Sequence, residues 1–299
     1  MAVREGAVRE GAALDVGVDT SAVAPVRRQR RVGGLFIASL IWIALVALGA
    51  IFANLLPIPS PTDMDMLGKR ALPSAEHWLG NDVLGRDVFS RLIYGGRISL
   101  TVGLLAPVIG VTIGGMFGML AGYFRGRLET FITGGMDVLL AFPPLVFALA
   151  VTAYLGQSIE NITLVIGILG IPAFTRVARA VTLTLSEREF VTAARALGAT
   201  HSRILLRELL PNVALPLVAF FLLGVAVTIV VEGALSFLGL GVPPPAPSWG
   251  SMIGEGRESL DIAPWLAFLP ALFMFLTVLA FNVVGDTLRA LTDPRPGKL

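Results

Sequence analysis

The chain has 299 residues, 55% of them hydrophobic and only 15% charged, with a formal net charge of +2 and a mean hydropathy of +0.79. An ordinary soluble domain is about a quarter charged, so this chain lacks the polar surface to enclose a core in water, and the bilayer is its expected solvent. The absence of cysteine excludes disulfides, a thiolate nucleophile and a Cys-ligated metal site.

Residues 1–31 open with a doubled VREGA and contain no aromatic residue. Such a segment cannot bury enough apolar surface to order itself, and the expectation is a disordered cytoplasmic tail. The run RRQRR at 27–31 abuts an apolar stretch of about 25 residues, too long for a cleaved signal, so a retained span is expected. Six stretches are apolar and long enough to cross about 30 Å of hydrocarbon at about 1.5 Å per residue. They are 32–56, 99–123, 131–155, 161–180, 213–240 and 265–285. The fold class is therefore an all-α membrane protein with six transmembrane helices.

Lys and Arg concentrate in the N-terminal tail, at Arg125 and Arg127, between Arg176 and Arg207, and at the C-terminal end. In segment 57–97 the bases are balanced by Asp63, Asp65, Glu76, Asp82 and Asp87. The positive-inside rule then places both termini in the cytoplasm of a multi-pass protein of the cytoplasmic (inner) membrane. The expected divisions are the tail 1–31, a first helix with its extracytoplasmic loop over 32–98, a transmembrane domain over 99–290, and a C-terminal tail 291–299.

Within the second span Gly110, Gly114, Gly118 and Gly122 recur every fourth residue. They share one helix face and predict a close helix–helix seam. Pro143–Pro144, Pro172, Pro216 and Pro270 predict kinks, and Arg176 and Arg179 are expected to snorkel from the end of the fourth span. Residues 57–98 end in an amphipathic lead-in to the second span. Residues 241–264 begin Pro-rich and continue with SMIGEGRESL, which suits a short helix. Glu232 lies inside the fifth span, where a carboxylate requires an aqueous cavity or a partner. It is a candidate for the translocation pathway or its gate, against the bland reading of a structural hydrogen bond within or between subunits. Asp137 and Asp286 lie near span ends, where interfacial solvation is the default.

Between the fourth and fifth spans stands EREFVTAARALGATHSRILLRELLPN, residues 187–212. Ser186 and Glu189 have capping-box spacing, so a helix is expected to start near Glu187. Phe190, Ala193, Ala194 and Leu197 fall on one face, and Gly198 is placed to end that helix in the left-handed conformation. Thr200 or Ser202 then caps a second helix, stopped by Pro211. Three readings compete for this hinged pair. A DNA-reading helix-turn-helix has little room for a duplex between two spans. A passive loop on anionic headgroups is the second. The third is a docking helix whose small-residue face enters a groove on a soluble partner.

Here the sequence resembles a known family. "FVTAARALGATHSRILLRELLPN" is similar to the cytoplasmic EAA loop of ABC importer permeases, with Ala193, Ala194, Gly198, Leu210 and Pro211 matching its pattern. Thr192 stands where that family usually has Glu, and Glu208 where an aliphatic residue is common. Residues 79–100, 235–257 and 263–295 look like the C-type permease of dipeptide and oligopeptide importers, so the resemblance spans about residues 30–295.

The resemblance implies a type I importer fold acting as a non-catalytic permease subunit for peptides, with nickel, glutathione or haem as alternative substrates. It implies as partners a second, B-type permease, two ATPase domains or subunits, an extracytoplasmic binding protein and membrane lipid, but no nucleic acid. It further implies that the coupling loop 186–212 seats in an ATPase groove through Phe190, Thr192, Ala193, Ala194, Arg195, Leu197, Gly198, Arg203, Leu210 and Pro211. No cofactor is expected in this chain; ATP and Mg belong to the partner ATPases. The residues agree: Lys69 and Lys298 are the only lysines, and neither lies in a P-loop. A HExxH zinc site is absent, and His77 and His201 lie in hydrophilic segments, which disfavours an intramembrane protease. A secondary transporter or channel is the reading from another class; neither explains the docking segment.

Overall fold

A computed structural model describes residues 33–292. The expectations for the tail 1–31 and for residues 293–299 fall outside the described residues.

Helix α1 spans Gly34–Ile51. It is apolar along its length and shows most of its large side chains outward, as a helix solvated by lipid does. A long loop follows, pinned by the Asn81–Asp87 bridge. The Asp87 side chain then accepts from the Ser90 backbone amide at 2.7 Å. This N-cap starts the second span at Val88, eleven residues before the expected position. Helix α2 accordingly runs Val88–Phe124, and the boundary expected between residues 98 and 99 lies inside it.

α2 contains Pro107 and then widens into a π turn at Gly110–Gly114, a local slackening of the kind that proline leaves in long helices. The glycine stripe packs as expected. A Cβ on Gly110 would meet the ring of Phe174, and one on Gly114, Gly118 or Gly122 would meet the backbone between Ile171 and Arg179. Those neighbours belong to α5, Ile159–Ser186, whose backbone lies against the glycine ridge.

The expected third span is divided. Helix α3 (Gly126–Ala141) and helix α4 (Pro144–Leu155) are bent by 80° at Phe142–Pro143. Proline removes the amide donor and drives its preceding residue out of helical geometry, so two in succession end α3 outright. Pro172, Pro216 and Pro270 break nothing: α5 and the two later spans continue through them. Five helices are thus long and apolar enough to span a membrane, and six spans result if the bent pair is counted as one.

After α5 come the short helix α6 (Glu189–Ala196) and the long α7 (His201–Phe237). The expected capping box does not form. Ser186 is the last residue of α5 and turns its hydroxyl back onto the Leu183 carbonyl at 3.0 Å, while α6 begins three residues later without a side-chain cap. Pro211 does not stop the second helix either. A π turn at Ile204–Leu209 precedes it, and the extra residue in that turn accommodates the proline ring, so the helix continues into the fifth span.

Helix α8 (Trp249–Gly256) confirms the short helix expected in the last loop; Ser248 and Ser251 cap it reciprocally. Helix α9, Trp265–Thr292, closes the bundle. One core gathers side chains of α1, α2, α7, α8 and α9 around Trp249, Leu92 and Ile229. A second joins α2, α4, α5 and α7 through Ala148, Val165 and Leu235.

Candidate functional site

The hinged segment between α5 and α7 is built from local backbone chemistry. The amide of Gly198 donates to Arg195 O at 2.9 Å, and that of Ala199 donates to Ala194 O at 3.0 Å. These two bonds form a Schellman motif, which requires a left-handed residue at its turn. Gly198 supplies it with φ of +78°. Thr200, rather than Ser202, caps the next helix by accepting from the Arg203 amide.

Val191, Ile204, Leu205 and Leu209 anchor the pair to the end of α2 through Met119 and Tyr123, with Ala194 and Ala199 packed at the margin. The expected outer face is therefore split. Phe190, Ala193 and Leu197 point away from the bundle, Leu197 with 88% of its surface exposed, whereas Ala194 turns partly inward. Thr192, Arg195 and Arg203 are exposed, and Leu210 and Pro211 lie exposed on α7 beyond its π turn.

Sequence reasoning missed Tyr123. Its hydroxyl lies 2.8 Å from His201 Nδ1, and the Arg195 guanidinium stands 5.4 Å from the centre of its ring. One residue on α2 thus touches both α6 and α7. The only sequence signal was an aromatic residue next to the charged end of a glycine-ridged helix.

Arg176 and Arg179 do not snorkel alone. Arg176 pairs with Asp137 at 2.8 Å, and Arg179 pairs with Glu129. Arg125 reaches Glu187 at 2.7 Å. The seam between α3 and α5 thereby carries successive ion pairs.

At the opposite end of the bundle lies a buried charge cluster. Arg86 is 2.6 Å from Asp82 and 2.5 Å from Glu255; Arg91 is 3.4 Å from Asp82 and 3.0 Å from Glu255. Both arginines are almost completely buried. This cluster joins the loop before α2 to α8. Beneath it, Glu232 is 1% exposed and accepts from Ser99 at 2.9 Å and Ser236 at 2.6 Å. The indole of Trp249 donates to Leu92 O at 3.0 Å, and Gly95 and Gly96 leave the space for Trp249 and Ser248. Glu232 therefore sits among hydrogen-bond donors that hold α2, α7 and α8 together. No group of three or more His, Asp or Glu side chains placed to hold a metal occurs among the described residues.

A bundle of long apolar helices, interrupted by an anchored and partly exposed helical hinge, defines a polytopic α-helical membrane protein. Comparison with known proteins agrees. Residues 114–298 match the family described as binding-protein-dependent transport system inner membrane component. The chain is 44% identical over 270 residues to the glutathione transport system permease protein GsiD of Escherichia coli O157:H7, covering 90% of this chain and 89% of that protein. It is 42% identical to the GsiD of Pectobacterium atrosepticum, covering 88% and 85%. It is 39% identical to the dipeptide transport system permease protein DppC of Alkalihalophilus pseudofirmus, covering 92% and 91%. In fold it is similar to a chain of the MetNI methionine ABC transporter in an inward-facing conformation. That match has a TM-score of 0.56 and 17% identity, over 69% of this chain and 98% of the other.

The chain belongs to the inner-membrane components of binding-protein-dependent transport systems. As such it is a multi-pass, non-catalytic permease subunit with a type I importer fold, part of an ABC transporter whose ATP is bound by partner ATPases.

Proposed function

We propose that this chain forms half of a translocation pathway for small peptides, in company with a second, B-type permease. Relatives named for glutathione are 42% and 44% identical and the one named for dipeptides 39%, so glutathione becomes the leading substrate ahead of the dipeptide and oligopeptide class. Both termini face the cytoplasm, and the segment 186–212 docks on an ATPase through Phe190, Ala193, Leu197 and Gly198.

The observation that carries the docking reading is the exposure of Phe190 on α6 and of Leu197 just past its end, on a helix otherwise fixed to the bundle by Val191 and Ala194. A helix that merely closed a loop would turn its large apolar residues inward. Thr192, Arg195, Arg203, Leu210 and Pro211 flank that face. Glu232 acts on the pathway indirectly, by holding α8 against α2 and α7.

The test is to reconstitute the two permeases, the ATPases and the binding protein in vesicles, and to measure ATP hydrolysis as each ligand is loaded on the binding protein. Glutathione is expected to stimulate hydrolysis and to accumulate inside. Stimulation by dipeptides alone would move the substrate assignment, and an intact complex that responds to neither would overturn the peptide reading.

A further inference from the structure

Of the nine helices described, α3 alone contributes no side chain to any of the apolar cores. Ile132 is its one buried residue. The neighbouring seam is built differently. There α2 and α5 interlock along the glycine ridge, where a Cβ added to Gly114 or Gly118 would strike the main chain of α5. Lipid tails solvate apolar side chains as well as a neighbouring helix does, so apolar contact alone drives little association between spans. α3 is held instead by polar side chains.

Those contacts form a ladder along α5. Arg125 pairs with Glu187 at 2.7 Å, Arg179 with Glu129, and Arg176 with Asp137 at 2.8 Å. Between the last two, Thr175 donates to Met136 Sδ at 3.6 Å. The side chains of the first and last ion pairs are 46–70% exposed. Exposed side chains change rotamer rapidly, so a ladder of this kind parts without the repacking of a core.

Both ends of α3 are built as joints. At its start Arg125 has φ of 54° and ψ of −170°, and Gly126 follows with φ of 62°. The first combination is one that glycine alone populates freely, so Arg125 is strained there. At its other end the chain turns by 80° into α4, which is anchored to the bundle through Ala148. Hinges are a few residues at the ends of elements that absorb changes in φ and ψ, and α3 lies between two such places. Its first ion pair also adjoins the docking segment: Glu187 closes α5 two residues before α6 begins.

We propose that α3 is a hinged strap, latched to α5 by Arg125–Glu187, Glu129–Arg179 and Asp137–Arg176, which swings away from α5 as the transporter changes conformation. This rests on the reading of the chain as half of a pathway that opens and closes, and it names the element that moves. The strap turns about Arg125–Gly126 and Phe142–Pro144, while α2 and α5 stay locked on their glycine ridge. A displacement of α6 reaches the strap first at Glu187.

The absence of cysteine lets labels be placed in chosen pairs. Gly135→Cys on α3 and Gly170→Cys on α5 each add a side chain where nothing lies within 4 Å. Leu105→Cys, at an exposed position of α2, is paired with Gly170→Cys as comparator. Each doubly substituted chain is spin-labelled before reconstitution with unlabelled partners. The distance is then measured by electron paramagnetic resonance, without nucleotide and with the ATPases trapped on ATP. The 135–170 distance is expected to shift by about 5 Å or more, the rise of one helical turn, and the 105–170 distance to stay fixed. A 135–170 distance that stays constant, or that moves no more than the comparator, would overturn the inference. In a second arm Asp137→Cys and Arg176→Cys are bridged by a reducible bifunctional thiol reagent. Import is expected to fall at least tenfold relative to the same complex before bridging, and to return on reduction. Import unaffected by the bridge would sink the strap and leave the permease reading intact; failure of the unmodified complex to import any peptide would instead remove the reading beneath it.

Discussion

The hydroxyl of Tyr123, in the last turn of α2, lies 2.8 Å from Nδ1 of His201, the first residue of α7. Their rings meet edge to face at 5.6 Å, and Arg195 of α6 stands over the same tyrosine. Tyr123→Phe keeps the ring contacts and removes one hydrogen bond of about 1 kcal/mol. We expect normal assembly and ATP hydrolysis, but substrate imported per ATP lowered a few-fold. Unchanged coupling in reconstituted vesicles would limit the pair to a structural role.

Gly198→Val places a β-branched side chain where φ is +78°, a conformation that costs an L-residue about 1–2 kcal/mol or more. The space around the position is open, so strain in the backbone, rather than a clash, distorts the turn. Membrane insertion is expected to persist while ATPase co-purification falls at least tenfold. Uptake and assembly both at native levels would sink the docking role.

The cluster of Asp82, Arg86, Arg91 and Glu255 is a buried network in which losing one partner strands another. Glu255→Gln leaves two buried arginines short of one negative charge and is expected to cost about 3 kcal/mol. The loss should appear as a lower melting temperature of the detergent-solubilised complex and as faster proteolysis between α7 and α9. Arg257→Gln, which removes only a stacking contact with Phe237, serves as the mild comparator. Equal behaviour of the two variants would mean that the cluster does not clamp α8.

Glu232→Gln retains an acceptor for one serine and a donor for the other, and transport close to the native rate is expected. Glu232→Leu leaves the hydroxyls of Ser99 and Ser236 without their acceptor, at about 1–3 kcal/mol, and stability should fall first. If Glu232→Gln abolished transport at unchanged melting temperature, a direct place in the pathway would be indicated.

Features set by local chemistry were readable in the sequence. The glycine stripe announced its seam with α5, because four glycines at that spacing leave only one close-packing face. Gly198 announced its own turn, because a Schellman motif needs a residue tolerant of positive φ. Pro211 misled, since a proline stops a helix only where no π turn precedes it, and π turns have no residue signature of their own. Ser186 misled because α5 runs through it, which leaves Arg188 at the N-cap position of α6 and the Ser186 hydroxyl donating back to the carbonyl of Leu183. The start of α2 was hidden by charge: Arg91 and Arg97 read as loop residues, and their partners, Glu255 164 residues from Arg91 and the Ala50 and Ile51 carbonyls for Arg97, are ones that hydropathy cannot see. For the same reason Tyr123 went unnoticed, its partner His201 being 78 residues distant.

The continuity of α7 from His201 to Phe237 has a mechanical consequence. At 37 residues it is a rod about 55 Å long, with the hinge of α6 at one end and Glu232 near the other. Tilting such a rod by about 5° swings its far tip by about 5 Å, close to the rise of one helical turn. A small angular displacement beyond the π turn at Ile204–Leu209 and beyond Pro211 and Pro216, the places where this rod can flex, therefore arrives magnified beneath α8.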